Sequence, residues 1–335
     1  MKKFTKIISF ILSLILVIAL FPFSKADSKI IPGTVEEIEI SKKTLYVYLP
    51  YNYDASQKYD IYYHQLGVNS TDNQMFNLSS CKKMLDTEIF KGNIKPFIMV
   101  IIPDKPIIEE VPELLTCKEE ETLELLEKPA NKVLNKFDDC IEIMQTVEET
   151  YSTYADTPIT YDTLKSSSNH RAIGGFSQGA YRTWECLSNS KIRKLADIYI
   201  PASPVGVYKS GEYQNYAPIW DKTIDALMKE KGRIKVFNSI GSEEEIFKGL
   251  SQLNDTLNIF EEDGFEFNKN VYGFIVEDQA HSYENDTILL KNVFKLLSDE
   301  NVKYDGIKEF NEEEFLEYLE SLEEETEENK EEEAV

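Results

Sequence analysis

The stretch Arg171-Ala172-Ile173-Gly174-Gly175-Phe176-Ser177-Gln178-Gly179 constrains this 335-residue chain more than any other. Residues 171–176 are a short, mostly apolar run of strand length that ends in a glycine-rich turn. A helical pattern follows at once, over 178–188. Gly175-Phe176-Ser177-Gln178-Gly179 fits the spacing G-x-S-x-G, in which residues without a Cβ allow a sharp reversal from strand to helix. That reversal lets the Ser177 side chain project from the C-terminal edge of a sheet. A turn of this kind needs a parallel sheet to carry it.

The rest of the sequence supplies one. Residues 34–40 and 44–49 alternate or run β-branched and aromatic, and read as two strands joined by a turn at 41–43. Further strands are expected over 59–64, 97–102, 198–201, 234–240 and 271–276. Helical patterns fall at 81–90, 138–154, 219–229, 246–262 and 286–297. After the opening meander, strand and helix alternate, which implies an α/β sandwich with a mainly parallel sheet. Residues 105–136 break the rhythm. They are rich in Glu and hold Pro106, Pro112 and Pro129, and read as an inserted, partly helical excursion on the rim of the sheet. With 42% hydrophobic and 12% aromatic residues, the chain can bury a large core.

A serine hydroxyl is a weak nucleophile without a base, so Ser177 needs a histidine. The chain has three: His64, His170 and His281. His170 begins the strand that ends at Ser177, roughly 20 Å away at about 3.3 Å per residue. His64 closes an earlier strand, but the chain order expected for such a turn is serine, acid, histidine. His281 follows the last strand and precedes the last core helix, which is where the base belongs. The acid should lie between the two. Gly241-Ser242-Glu243-Glu244-Glu245 follows the 234–240 strand directly, and one of its glutamates is the natural partner of the imidazole N–H. Asp263 and Asp278 are weaker candidates. An oxyanion hole needs two donors. The N–H of Gln178 is one, and Leu66, in the loop His64-Gln65-Leu66-Gly67, is chosen as the other. This chemistry requires no metal and no organic cofactor.

The two ends of the chain read differently from the middle. Residues 1–26 carry four Lys and no acid, with an almost wholly apolar run from 7 to 23 followed by Ser24-Lys25-Ala26. That is the plan of a secretory signal peptide cleaved before Asp27, which implies a secreted, extracellular protein with no stable membrane anchor after cleavage. Residues 27–308 are read as the catalytic domain. Residues 309–335 hold fourteen Glu and one Lys, more than half of the chain's net charge of -24, and read as a short helix followed by a disordered acidic tail. The acidic balance excludes nucleic acid as a partner, because a phosphate backbone needs a basic footprint. Cys81, Cys117, Cys140 and Cys186 are widely spaced and form no metal-knuckle or redox motif, and buried thiols or bridges are equally compatible with them.

Several stretches together resemble a known family. They are Val47-Tyr48-Leu49-Pro50 with Tyr53-Asp54, Tyr62-Tyr63-His64, Gly92-Asn93-Ile94-Lys95-Pro96-Phe97-Ile98, the Arg171 to Gly179 segment, Gly241-Ser242-Glu243-Glu244 and Ala280-His281-Ser282. Over residues 33–297 the chain is similar to the esterase D-like branch of the α/β-hydrolases, which includes feruloyl and acetylxylan esterases of carbohydrate esterase family one. The resemblance implies an α/β-hydrolase fold with helices on both faces of the sheet and antiparallel N-terminal strands. It implies Ser177 as nucleophile, His281 as base, Glu244 as acid with Glu243 as the alternative, and Leu66 and Gln178 as oxyanion donors. It further implies a small-molecule or polysaccharide-linked ester as substrate, with feruloyl or acetyl groups on plant cell-wall polysaccharide. Other esters, from siderophores or lipids, are an alternative, and so is a binding protein that retains the scaffold without catalysis. Two departures stand out: Glu244 where the family usually has Asp, and Gln65 where it usually has Gly.

Overall fold

The β-branched and aromatic runs do form strands, and their burial explains why. The computed structural model describes residues 32–40, 43–67, 70–103, 137–204, 232–244 and 270–311, with scattered positions between 223 and 257. These belong, apart from Pro32, to the unit Gly33–Val335. β1 (Thr34–Ile40) and β2 (Lys43–Leu49) pair antiparallel in full register. β3 (Asp60–Gln65), β4 (Phe97–Ile102), β5 (Arg171–Phe176), β6 (Ile198–Ala202), β7 (Lys235–Gly241) and β8 (Val271–Val276) pair in parallel. β9 (Ile307–Glu309) closes the far edge antiparallel to β8. The order across the sheet is β1-β2-β4-β3-β5-β6-β7-β8-β9. β5 is buried at every position, as a strand covered on both faces must be.

The covering helices fall on the two sides. α1 (Cys81–Phe90) and α5 (Tyr283–Ser298) pack Leu85, Ile89, Leu290 and Val293 against one face. α2 (Phe137–Thr150) and α4 (Gln178–Ser188) pack Ile143, Val147, Trp184 and Leu187 against the other. This is the α/β-hydrolase arrangement. α5 begins three residues before the expected start because Ser282 caps it, accepting the Asn285 N–H at 3.3 Å. α2 ends at Thr150 rather than 154. The short helix α3 (Tyr161–Ser166) and β9 were not foreseen. The expected turn at 41–43 lies outside the described residues apart from Lys43. The insertion at 105–136, Cys117, residues 1–26 and the tail after Asn311 lie wholly outside them, and the helices at 219–229 and 246–262 lie there apart from scattered helical positions. Cys81, Cys140 and Cys186 are free thiols.

A buried ion pair anchors the strand that leads to Ser177. Arg171 opens β5, and its guanidinium meets Glu148 of α2 through two bonds, Nε to Oε1 at 2.7 Å and Nη2 to Oε2 at 2.9 Å. Both side chains are about 1% exposed. Tyr63 Oη and Thr153 Oγ1 also donate to the Glu148 carboxylate, at 3.1 and 2.8 Å. Leu164 O and Ser167 Oγ take further guanidinium protons. Each charge is thus paired and hydrogen-bonded, the condition under which burial is tolerated. Glu148→Ala leaves the guanidinium buried without its counter-charge. The expected loss is about 3–5 kcal/mol, read as a lower urea midpoint at unchanged slope. A loss below about 1 kcal/mol would show that the pair does not hold the strand.

Candidate active site

The strand-to-helix turn takes the shape its sequence requires. Ser177 has φ 57° and ψ -118°, a left-handed conformation rare outside glycine. Its N–H donates to Ala202 O at 3.0 Å, which ties the turn to the end of β6. The two flanking glycines are needed for closeness. A Cβ on Gly179 would sit 1.9 Å from Gln65 O, and one on Gly175 would sit 2.5 Å from the same oxygen. The end of β3 therefore runs directly against the Ser177 turn. Gln65 fits there because its side chain turns toward Cys186, with Nε2 3.9 Å from Sγ.

His281 and Glu244 meet at the same edge. Nδ1 of His281 hydrogen-bonds Oε1 of Glu244. The other oxygen, Oε2, accepts the Gly241 N–H at 3.2 Å. Glu244 is buried, and these two contacts hold its carboxylate. Glu243 is exposed, and Asp278 is exposed beyond β8. Glu245 and Asp263 lie outside the described residues. Because Nδ1 is occupied by the carboxylate, Nε2 is the imidazole atom available on the other side. The His281 ring packs on Phe176 with centroids 4.6 Å apart. Asn285 Nδ2 donates to Ala280 O and Ser203 Oγ, both at 3.2 Å, and so fixes the His281 loop to the turn after β6.

The other two histidines are engaged elsewhere. His170 stacks on Tyr154 with centroids 3.6 Å apart, and its Nδ1 meets Asp60 Oδ1 at 2.6 Å, at the opposite sheet edge. His64 is fully buried between Tyr62 Oη, 2.8 Å from Nδ1, and Asp286 Oδ2, 3.3 Å from Nε2. Burial lowers the His64 pKa to about 3 and raises that of Asp286 well above its ordinary value. The pair links the end of β3 to the first turns of α5.

Of the two amides expected in the oxyanion hole, one is available and one is not. Gln178 N–H lies in the first turn of α4, where helix amides have no intrahelical acceptor. Leu66 N–H instead donates to Ile102 O at 3.1 Å, continuing the ladder between β3 and β4. Its one proton is committed, which corrects the expectation for Leu66. The next amide, Gly67, donates to Tyr283 Oη at 2.9 Å. The tyrosine was not singled out by the sequence.

Ser177, His281, Phe176, Tyr283, Gln74 and Leu78 line one cavity of about 370 Å³. It joins a hydroxyl on a strained turn, an imidazole held by a buried carboxylate and an apolar wall. Among the described residues no cluster of His, Cys, Asp and Glu could hold a metal ion.

The family model described as "Putative esterase" matches residues 40–284. The chain belongs to this esterase family. It is a carboxylic-ester hydrolase with an α/β-hydrolase fold. Among solved structures it is similar to the feruloyl esterase module from Clostridium thermocellum complexed with sinapinate. The TM-score is 0.62 and the identity 21%, over 82% of this esterase and 91% of that module. A ferulic acid esterase from Anaeromyces mucronatus in complex with ferulic acid matches at TM-score 0.54 and 18% identity, over 80% and 92%. The S-formylglutathione hydrolase from Staphylococcus aureus matches at 0.53 and 10%, over 80% and 96%. A stretch of 148 residues is 32% identical to endo-1,4-beta-xylanase Y of Acetivibrio thermocellus. That stretch is 44% of this esterase and 12% of the xylanase's length. Among the described residues, no helix is long and apolar enough to cross a membrane.

Proposed function

We propose that this chain is an exported serine esterase that releases feruloyl or related aromatic acids from plant cell-wall polysaccharide. The observation that carries the reading is the convergence of Ser177 with the His281–Glu244 pair on one cavity. In this mechanism His281 Nε2 takes the Ser177 proton as Oγ adds to the ester carbonyl, and Glu244 holds the imidazole and balances its charge. The negative charge develops on the carbonyl oxygen, toward Gln178 N–H. His281 then returns the proton to the departing sugar oxygen, and a water repeats the sequence to free the acid.

The aromatic preference rests on the cavity wall. Phe176 and Tyr283, with ring centroids 4.8 Å apart, and the exposed side chain of Leu78 offer an apolar wall beside the nucleophile. The feruloyl esterases of similar fold and the stretch shared with a xylanase support the same substrate class. Residues 1–26 act as the export signal in this reading.

A panel of methyl ferulate, feruloylated and acetylated xylan oligosaccharides, short and long acyl nitrophenyl esters and S-formylglutathione tests it. We expect kcat/KM for the feruloyl esters to exceed that for the acetyl esters by at least about tenfold, a difference of about 1.4 kcal/mol in transition-state binding. Equal or better turnover of acetyl esters or of the thioester would replace the feruloyl assignment. No turnover of any member, together with no labelling by a fluorophosphonate, would favour a binding protein on this scaffold.

A further inference from the structure

The proposed mechanism leaves the oxyanion with one assigned donor, Gln178 N–H, although such sites aim at least two donors at the developing charge. Leu66 N–H is committed to Ile102 O. The group that does stand beside the nucleophile is a phenol. Tyr283 opens α5, is 8% exposed and lines the same cavity as Ser177. Its oxygen lies 2.9 Å from Gly67 N. Gly67 in turn lies against the nucleophile: a Cβ built on it would be 3.2 Å from Ser177 Cβ and 3.4 Å from Phe176 O.

Resting on the serine-esterase reading, we infer that the Tyr283 hydroxyl is the second oxyanion donor of this site. A phenol has one proton and two lone-pair directions. The Gly67 amide donates to the oxygen, and the Ser70 side chain also hydrogen-bonds it. The Gly67 bond uses a lone pair of the oxygen and not its proton, and Tyr283 lines the cavity toward which that O–H can turn. A donor on the oxygen also polarises the O–H bond and makes it a better donor. Burial pushes the Tyr283 pKa up to about 12, so the proton is present across the working range of an esterase. The ring is held by Phe176 on one side and by the capped start of α5 in the backbone, which gives the preorganisation that oxyanion stabilisation needs. When Ser177 Oγ bonds to the carbonyl carbon, the π pair moves onto the carbonyl oxygen. That oxygen then accepts hydrogen bonds from Gln178 N–H and Tyr283 Oη–H, and no proton is transferred from either.

Tyr283→Phe in the full chain tests this. The ring packing remains, the hydroxyl is lost, and Gly67 N–H is set free. We expect kcat on methyl ferulate to fall by about 10²–10³-fold, with KM changed less than about threefold. The inhibition constant of an aryl boronic acid, which presents a tetrahedral anionic oxygen, should rise in parallel, while the affinity for free ferulate stays the same. A kcat within threefold of wild type, or above it, would overturn the inference and make Gly67 N–H the donor. A fall in kcat with no change in boronate inhibition would assign Tyr283 a purely structural role, which also overturns it. Wild type that neither hydrolyses esters nor is labelled at Ser177 would remove the serine-esterase reading itself. Active, labelled wild type with an indifferent Tyr283→Phe rejects the tyrosine alone.

Discussion

Ser177→Ala is expected to lower kcat on the preferred ester by roughly 10⁴–10⁶-fold while leaving the fold intact. The size follows from the arrangement of the turn. With Oγ removed, no other hydroxyl sits on that left-handed turn, and water must attack without covalent assistance. What remains is the part of the rate that comes from oxyanion stabilisation and substrate positioning. The substitution removes one atom from a partly exposed side chain, so no large cavity opens. Ala also inherits the strained φ of 57°, which Ser already tolerates without the help of a glycine. The thermal midpoint should therefore shift by only a few degrees. Fluorophosphonate labelling, followed by peptide mass mapping, should place the adduct on Ser177 in wild type and find none in the variant. Undiminished labelling of Ser177→Ala would put the nucleophile elsewhere.

Glu244→Gln should cost about 10³–10⁴-fold in kcat, by analogy with the loss of charge at the acid of other serine triads. The shape is retained but the negative charge beside His281 Nδ1 is gone. A neutral amide does not stabilise the imidazolium that forms when Nε2 takes the serine proton. It can also present its NH₂ to Nδ1, which would favour the tautomer with the proton on Nε2, where a base is needed. Gly241 N–H, now bonded to Oε2, helps decide which way the amide turns. Glu243→Gln is the control. Glu243 is exposed and does not reach the imidazole, so its activity should stay within about twofold. Steady-state kinetics on the two variants separate these outcomes. Equal losses at Glu243 and Glu244 would mean that general acidity around the site, not the Glu244–His281 contact, supports catalysis.

Ser177, His281 and Glu244 could be named as candidates from the sequence because covalent order and chemistry constrain them together. Only three histidines exist, one begins the serine's own strand, and an acid-bearing turn directly follows a buried strand. The amide direction at Leu66 was not legible. It depends on the register of β3 on β4, in which Gln65 faces Ile102, and no periodicity in the sequence encodes that alignment. Tyr283 was hidden for a related reason. Its partner at Gly67 is 216 residues away, and a tyrosine two residues after a histidine has no local signature of function. In the fold, β9 has a single buried position in three residues, too short to show alternation. α3 is only six residues long, and its cap is a reciprocal Thr160–Thr163 pair instead of the Ser/Thr and Glu/Gln pattern usually read from sequence. The insertion at 105–136 and the acidic tail after Asn311 lie outside the described residues.

The hydrogen bond between Gly67 and Tyr283 joins residues 216 apart in sequence. Contacts of such long sequence separation carry a large closure cost and form late unless intervening structure has already shortened the path. Here the path is shortened only when the strands from β3 to β8 lie side by side. The His281–Glu244 contact, by comparison, needs only β7 and β8 to be adjacent. By contact span, the imidazole–carboxylate pair is expected to form before the wall facing it. The cavity beside Ser177 therefore depends on both ends of that span, with Gly67 after β3 on one side and Tyr283 at the start of α5 on the other.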